Sequence, residues 1–270
     1  MSKIKLIIIE DKEDVECAEV CVSALIEGDE FEFLLDTGAG TSSIRNSEFT
    51  LQYPVIKSKK SSGVFSDTQE KVIRIPSVRL GPIRKENVEF TRIDKDSGKP
   101  NLIGMNVLKD FALLFDFQYL TVDVNPDDAK FIRNCNDLYC DDKYHPYITV
   151  GFDDSEASAV WDTGASITVV DTTFIEENES FFHFVGDSTG TDANGSSLLT
   201  PIYNMSQMII DGYLFPAHHV AAVDLSQVNA TLDKKMNLIL GYSSFRYADW
   251  WFDFPARKWK ITKYRGKAKI

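Results

Sequence analysis

Cysteine is scarce in this chain of 270 residues, which contains only Cys17, Cys21, Cys135 and Cys140. Their C-x3-C and C-x4-C spacings leave a four-thiolate zinc site open, although structural zinc sites more often use a two-residue spacing. Cys17 and Cys21 also fall in a predicted strand, where residues four apart are separated by about 13 Å, too far for one tetrahedral ion. We therefore expect four unpaired, reduced thiols and no metal site.

Long apolar runs are absent as well, because none approaches the ~20 residues that a membrane-spanning helix needs. The run at positions 6–9, with charged residues on both sides, is too short for a signal-peptide core and has no small-residue cleavage site after it. It predicts a strand instead. From these absences we expect a cytoplasmic protein with no membrane partner.

Basic residues are outnumbered: 29 Lys and Arg stand against 41 Asp and Glu, which gives a formal net charge of −12. The field of such an acidic chain repels phosphates, so we expect no nucleic-acid partner. The hydrophobic fraction of 43% is that of an ordinary globular protein, and the length allows one large domain or two smaller ones.

Helical periodicity is sparse. Short runs rich in Val, Ile, Phe and Thr, as at 72–75, 88–93 and 147–150, are separated by Gly, Asn, Asp and Pro turns, which predicts β-strands. Helices of about two turns are expected at 105–111 and at 243–248, and a further short helix is expected near position 175.

The chain repeats itself. Residues 31–42 and 157–168 each contain an apolar strand, the tetrapeptide Asp-Thr-Gly-Ala and small hydroxyl residues. The aspartates of the two tetrapeptides, Asp36 and Asp162, are 126 residues apart, close to half the chain. Such internal similarity at a fixed offset is typical of a duplicated unit.

Two further pairs follow in the same order. Short apolar runs precede Gly104 and Gly241, and aromatic segments follow at 113–117 and 250–254. We expect the aromatic rings of the second segment to pack in the core and between the two units.

These matches predict two lobes of about 130 residues. We expect an N-terminal lobe at 1–130, a polar linker at 131–143 and a C-terminal lobe at 144–270. Residues 3–10 and 258–264 are expected to join a sheet shared by the lobes.

The repeated aspartate suggests a chemistry. Gly38 and Gly164 follow the two aspartates closely and let the backbone approach a ligand. If the units pack about a pseudo-twofold axis, Asp36 and Asp162 become neighbouring carboxyls, which share one proton because two adjacent negative charges repel. One carboxylate can then take a proton from water while the other protonates the attacked carbonyl oxygen. This mechanism needs no metal and no cofactor.

On these motifs the chain resembles aspartic proteases of the retropepsin-like group, with two retropepsin-like lobes fused in one chain. The resemblance covers roughly residues 12–264. It implies an all-β, bilobal aspartic protease fold, in which two pseudo-twofold-related retropepsin-like β-barrel lobes carry a few short helices. It also implies a monomer, since one chain supplies both halves of the site.

The resemblance assigns roles residue by residue. Asp36 and Asp162 match the catalytic pair, and Thr37 and Thr163 match the threonines whose hydroxyls bond across the two turns. Substrate contacts are implied for the residues that follow the threonines and for two glycine-rich hairpins: Gly38, Ala39, Gly164, Ala165, Gly63, Val64, Phe65 and Gly190. Gly104 and Gly241 match the glycine that passes behind each catalytic turn.

We expect an aspartic endopeptidase that hydrolyses an extended peptide or protein substrate. The alternative is a catalytically silent peptide-binding or scaffold protein on the same fold. Two departures from the family pattern stand out. Position 40 is Gly where Ser or Asp is commoner, so we expect a looser first turn. Ala39 and Ala165 lack the hydroxyl that could lower the pKa of the aspartates, so we expect an optimum at mildly acidic to near-neutral pH.

Overall fold

A computed structural model describes residues 3–12, 14–62, 67–94, 97–127, 131–153, 155–191 and 197–266. The fold is all-β and bilobal, with a few short helices. The strands of the first half are β1 (Lys3–Lys5), β2 (Ile7–Glu10), β3 (Ala18–Ile26), β4 (Asp29–Leu35), β5 (Ser42–Arg45), β6 (Val55–Ser62), β7 (Asp67–Leu80), β8 (Ile83–Ile93), β9 (Leu102–Ile103), β10 (Ala112–Asp116) and β11 (Thr121–Val124).

The strands of the second half are β12 (Asn136–Asp137), β13 (Tyr139–Cys140), β14 (Pro146–Phe152), β15 (Ser155–Trp161), β16 (Thr168–Asp171), β17 (Phe182–Thr191), β18 (Ser197–Met205), β19 (Met208–Ile210), β20 (Tyr213–Phe215), β21 (His218–Val223), β22 (Leu238–Leu240), β23 (Ala248–Asp253) and β24 (Lys258–Tyr264). The helices are α1 (Glu48–Leu51), α2 (Met105–Leu108), α3 (Thr172–Glu177), α4 (Ser226–Asn229) and α5 (Tyr242–Phe245), with a 3₁₀ turn at Glu179–Phe181. Among the described residues, no helix is both long and apolar enough to cross a bilayer.

Each half has its own sheet with the same central arrangement. In the first sheet the order is β2-β3-β4-β9-β5-β8-β7-β6, and β4 pairs in parallel with the short strand β9. In the second sheet the order is β17-β18-β21-β16-β22-β15-β14-β19-β20, and β15 pairs in parallel with β22. The strand that precedes each Asp-Thr-Gly turn therefore lies inside a sheet, paired on both sides, and this fixes the position of the turn.

A third sheet joins the two halves in the order β1-β11-β10-β23-β24-β12. At its centre, β10 pairs antiparallel with β23, and Leu114 stands opposite Trp251. On either side of that pair the register is reciprocal, because Leu113 faces Phe252 and Phe115 faces Trp250. This exchange of equivalent contacts is what a twofold relation between two similar units requires.

The core at this junction is aromatic. Trp161, fully buried at the end of β15, lies 4.8 Å from Phe115 and 4.6 Å from Phe252, measured between ring centroids. The predicted packing role of the aromatic segment at 250–254 is confirmed: its four rings are at most 4% exposed. Each ring of this size buries a large apolar area.

Residues 3–10 were expected to join the shared sheet, and they do so only in part. Only β1 joins the shared sheet, through pairs with β11, whereas β2 pairs with β3 in the first-half sheet. The change occurs at Leu6, whose side chain is buried and whose N–H donates to the Leu120 carbonyl at 2.8 Å. At the other end of the chain, β24 joins the shared sheet as predicted.

The two helices after Gly104 and Gly241 are single turns, shorter than the two turns predicted. The next strands of the shared sheet begin soon after them, at Ala112 and Ala248. The helix predicted near position 175 is α3, with Asp171 at its N-cap position. The segment predicted as a linker includes β12 and β13, which pair with β24 and β14.

Candidate active site

The two Asp-Thr-Gly turns are supported from behind in the same way. In the first half, the Asp36 N–H donates to the Ile103 carbonyl at 2.9 Å, and the Met105 N–H donates to the Ala39 carbonyl at 2.8 Å. Between these bonds lies Gly104, where a Cβ would stand 2.5 Å from the Ala39 carbonyl oxygen. Only glycine fits there, because any side chain would collide with the turn.

The second half repeats this support. The Asp162 N–H donates to the Leu240 carbonyl at 3.1 Å, and the Tyr242 N–H donates to the Ala165 carbonyl at 2.8 Å. A Cβ on Gly241 would stand 2.8 Å from the Ala165 carbonyl oxygen. The roles expected for Gly104 and Gly241 therefore have the predicted geometry.

Hydroxyls that follow each turn complete the support, and sequence reasoning assigned them no role. The Gly104 N–H donates to Ser42 Oγ, and the Gly241 N–H donates to Thr168 Oγ1, each at 3.0 Å. Both hydroxyl residues are fully buried. The sequence contains a signal that could have identified these two residues, because each follows its aspartate by six positions.

The two threonines bond across the interface between the halves. The Thr37 N–H donates to Thr163 Oγ1 at 3.1 Å, and the Thr163 N–H donates to Thr37 Oγ1 at 3.0 Å. Each hydroxyl then donates to a backbone carbonyl of the opposite strand, Thr37 to Trp161 at 2.8 Å and Thr163 to Leu35 at 2.6 Å. Because both side chains are fully buried, these four bonds hold the turns in one relative position.

The glycines of the turns face the opposite aspartates. A Cβ on Gly38 would stand 2.5 Å from Asp162 Cγ, and a Cβ on Gly164 would stand 2.5 Å from Asp36 Cγ. The missing side chains are therefore what allows each carboxyl group to lie against the other turn. The Gly38 N–H donates across the interface to Asp162 Oδ1 at 3.1 Å.

The two carboxyl groups are hydrogen-bonded to each other and titrate as a pair. Burial, followed by the charge of Asp162, holds the pKa of Asp36 well above its usual range. Burial also raises the pKa of Asp162, while N–H donation from Gly164 and Gly38 and a hydrogen bond from Asp36 oppose that rise. Asp162 Oδ1 accepts both N–H groups, at 2.8 and 3.1 Å. Asp36 likewise accepts backbone N–H groups, from Ala39 and Gly38, so the two carboxyls, both with raised pKa values, hold one proton between them.

The structure brings together six of the residues singled out in the sequence, at the interface between the halves: Asp36, Thr37, Gly38, Asp162, Thr163 and Gly164. The two alanines take part through their backbone, as the Ala39 and Ala165 carbonyls described above. Among the hairpin residues, Gly63, Val64 and Phe65 lie outside the described residues. Gly190 is in β17, opposite Leu198 of β18, and no described contact joins it to the aspartates.

A close backbone contact, and not a looser turn, explains why position 40 is a glycine. A Cβ there would stand 2.8 Å from the carbonyl oxygen of Lys143. The backbone at Lys143 therefore rests directly on the first Asp-Thr-Gly turn.

One group of possible metal ligands occurs among the described residues. Single ligand atoms of Asp14, Glu16 and His219 lie within 4.8 Å of one another. The guanidinium of Arg246 contacts Glu16 there at 3.3 Å and also donates to the Val15 carbonyl. The Arg246 guanidinium offsets one of the two negative charges, and its ion pair with Glu16 joins residues of the two halves.

A comparison with known protein families agrees with this site for part of the chain. A family model described as "gag-polyprotein putative aspartyl protease" matches residues 22–110. The matched segment contains the first Asp-Thr-Gly turn and Gly104, so the first half is similar to a retropepsin-like aspartyl protease. No curated protein matches the chain.

Proposed function

We propose that this protein is an aspartic endopeptidase built from two fused, duplicated retropepsin-like lobes. The observation that carries the proposal is the mutual contact of the two Asp-Thr-Gly turns, in which Asp36 and Asp162 share a hydrogen bond and each lies against the other turn's glycine. A buried carboxyl pair that shares one proton is the arrangement that general acid–base hydrolysis of an amide needs.

In the proposed mechanism, the ionised Asp162 takes a proton from the attacking water, whose oxygen forms a bond to the scissile carbonyl carbon. Asp36 gives its proton to the carbonyl oxygen, which yields a neutral tetrahedral diol. Asp162 then returns its proton to the amide nitrogen as the carbon–nitrogen bond breaks, and Asp36 regains a proton from the diol. The cycle is balanced and requires neither a metal nor a cofactor.

The substrate is proposed to be an extended peptide or protein segment that lies across the interface between the halves. Two long hairpins support this assignment: β6 with β7 in the first half, and β17 with β18 in the second. A strand-like substrate could pair its backbone with such hairpins, as peptides often do with exposed strands.

We further propose that the enzyme acts as a monomer in a reducing compartment such as the cytoplasm. One chain supplies both aspartates, so no second copy is needed for the site. All four cysteines are free, including the buried Cys17 and Cys21, which is typical of proteins that stay in a reducing environment.

The test is cleavage of a peptide library by the wild-type protein and by Asp36→Asn and Asp162→Asn. Each substitution should abolish turnover while the far-UV circular dichroism spectrum stays unchanged, because the two aspartates act as one unit. Asp94→Asn, at an exposed position, is the matched control and should retain full activity.

Binding of a statine-type peptide, measured by calorimetry, separates the alternatives. An active dyad should bind the central hydroxyl tightly, and either Asn substitution should weaken that binding strongly. Peptide binding without cleavage, unaffected by both substitutions, would favour the silent peptide-binding protein instead.

A further inference from the structure

A buried histidine lies behind the second Asp-Thr-Gly turn, at the start of β21. His218 is only 2% exposed, and its Nε2 atom lies 2.5 Å from the Oγ atom of Ser244, a residue of α5. Ser244 Oγ lies 2.6 Å from Thr168 Oγ1, which accepts the Gly241 N–H at 3.0 Å. All four residues are buried. A continuous chain of hydrogen bonds therefore joins the imidazole to the backbone that supports Asp162.

The direction of each bond in this chain follows from the carbonyl at its far end. His218 Nδ1 lies 2.9 Å from the Pro216 carbonyl oxygen, which can only accept, so Nδ1 carries a proton. In a neutral imidazole Nε2 then has a lone pair and accepts the Ser244 hydroxyl. Because this bond uses the one proton of that hydroxyl, the Thr168 hydroxyl donates to Ser244 Oγ.

The surroundings of His218 favour the neutral imidazole. Burial lowers its pKa, and the charges of Arg246 and His219 act in the same direction. The Pro216 carbonyl and the carboxylate of Glu16 oppose this lowering of the pKa without reversing it. The neutral form is the one in which Nε2 can accept a hydrogen bond.

The first half supports its turn with an amide side chain instead. Ser42 Oγ accepts the Gly104 N–H and donates to Asn106 Oδ1 at 2.7 Å. The same amide oxygen accepts the Ser42 N–H at 2.9 Å, and the amide nitrogen of Asn106 donates to the Glu89 carbonyl at 2.9 Å. One side chain therefore binds both the hydroxyl and the backbone N–H of Ser42.

In the second half, two serines divide these two contacts. The Thr168 N–H donates to Ser243 Oγ at 2.9 Å, and the Thr168 hydroxyl bonds to Ser244 Oγ. Unlike an amide oxygen, the Ser244 hydroxyl carries a proton, which needs an acceptor of its own in the buried interior. The Nε2 atom of His218 is that acceptor.

We propose that His218 is a positioning residue for Asp162: its imidazole accepts the Ser244 hydroxyl and so fixes the chain of hydroxyls that holds Gly241 behind the second Asp-Thr-Gly turn. The inference rests on the proposed function, because it explains how that turn is held for catalysis. Without Nε2, the Ser244 proton can turn only towards Thr168 within this chain. The Thr168 proton then loses its acceptor, and the support of Gly241 weakens.

The first test measures hydrogen exchange of backbone amides by NMR on the full chain, and it needs no substrate. His218→Leu removes the acceptor and keeps a side chain of similar size, whereas His218→Gln has an amide oxygen that can take the place of Nε2. The Gly241 N–H should exchange at least about tenfold faster in the leucine variant and near the wild-type rate in the glutamine variant. The Gly104 N–H of the first half is the internal control and should keep its rate.

The second test measures kcat and KM for peptide cleavage. His218→Leu and Ser244→Ala should each lower kcat by roughly tenfold to a hundredfold with little change in KM, because they misplace Asp162. His218→Gln should retain most of the activity. The double variant should be no slower than the slower single one, since the chain is already broken. Ser158→Ala is the matched control and should leave kcat unchanged, because its buried hydroxyl has no hydrogen-bond partner among the described residues.

The two tests keep this inference separate from the proposed function. If peptides are cleaved but His218→Leu changes neither kcat nor the exchange of Gly241, or speeds the exchange of Gly241 and Gly104 equally, the inference is overturned and the peptidase assignment stands. If the exchange of Gly241 responds as expected although the wild-type protein cleaves no peptide, the chain of hydrogen bonds is real and the proposed function fails.

The ¹⁵N NMR spectrum of the wild-type imidazole decides the matter if His218→Leu does not fold. A neutral imidazole that is protonated at Nδ1 supports the inference. An imidazole protonated at Nε2, whether neutral or charged, overturns it, because Nε2 then cannot accept the Ser244 hydroxyl.

Discussion

Replacing Thr37 by valine should destabilise the protein strongly, because it removes a hydroxyl that satisfies two buried groups. That hydroxyl accepts the Thr163 N–H at 3.0 Å and donates to the Trp161 carbonyl at 2.8 Å. Valine has the same shape but leaves both groups without partners. Since each buried unpaired group costs about 1–3 kcal/mol, the free energy of unfolding should fall by roughly 2–6 kcal/mol.

The matched variant is Thr37→Ser, which keeps the hydroxyl and loses one methyl group. Its loss should be about 1 kcal/mol, the contribution of a single buried carbon. Thr189→Val, at an exposed position of β17, controls for the general effect of the Thr→Val exchange. The measurement is urea unfolding followed by circular dichroism, with the dependence on urea concentration compared among variants.

The rate of peptide cleavage should rank the Thr37 variants in the same order as their stability. If the two turns lose their fixed relative position, the carboxyl groups lose their shared hydrogen bond, so Thr37→Val should lower kcat far more than Thr37→Ser does. Equal stability of the valine and serine variants would refute the reasoning, because it would mean that the cross-bonds contribute no more than the methyl group.

Three further predictions concern ionisation. Ala39→Ser should supply a hydroxyl that donates a hydrogen bond to the charged aspartate pair, lower its pKa values and move the bell-shaped profile of kcat/KM to lower pH. In the wild-type protein, the free energy of unfolding should fall as pH rises through the raised pKa of Asp36, because only the folded state holds that proton there. Asp36→Asn should lack this fall. In the native protein, Cys17 and Cys21 should resist a thiol reagent, since burial, followed by nearby carboxylates, raises the pKa of each to about 12.

Separate controls apply to these predictions. A profile that moves to higher pH in the serine variant would contradict the hydrogen-bond argument. Thiol titration should count the partly exposed Cys135 and Cys140 before denaturation and all four thiols after it, without reductant. A count of two or none after denaturation would contradict the reduced state of the protein.

Much of the site could be predicted from local sequence because its parts are short and repeated. The Asp-Thr-Gly turns, the glycines behind them and the aromatic segments each occur twice in the same order. Two similar units that pack about a twofold axis bring together the equivalent residues near that axis, so the repeat predicts the contact between Asp36 and Asp162 once symmetric packing is assumed. The β-rich character follows from the alternation of the strands.

Other features depend on contacts between residues far apart in sequence. The raised pKa values of both aspartates depend on burial at the interface and on the contact between the two carboxyls, which no local pattern encodes. The glycine at position 40 has its reason in Lys143, about a hundred residues away. The repeat itself predicts equal halves. Only the tertiary structure shows a difference between them, the Lys143 carbonyl that rests on Gly40 of the first turn, because contacts between residues far apart in sequence decide which groups become neighbours.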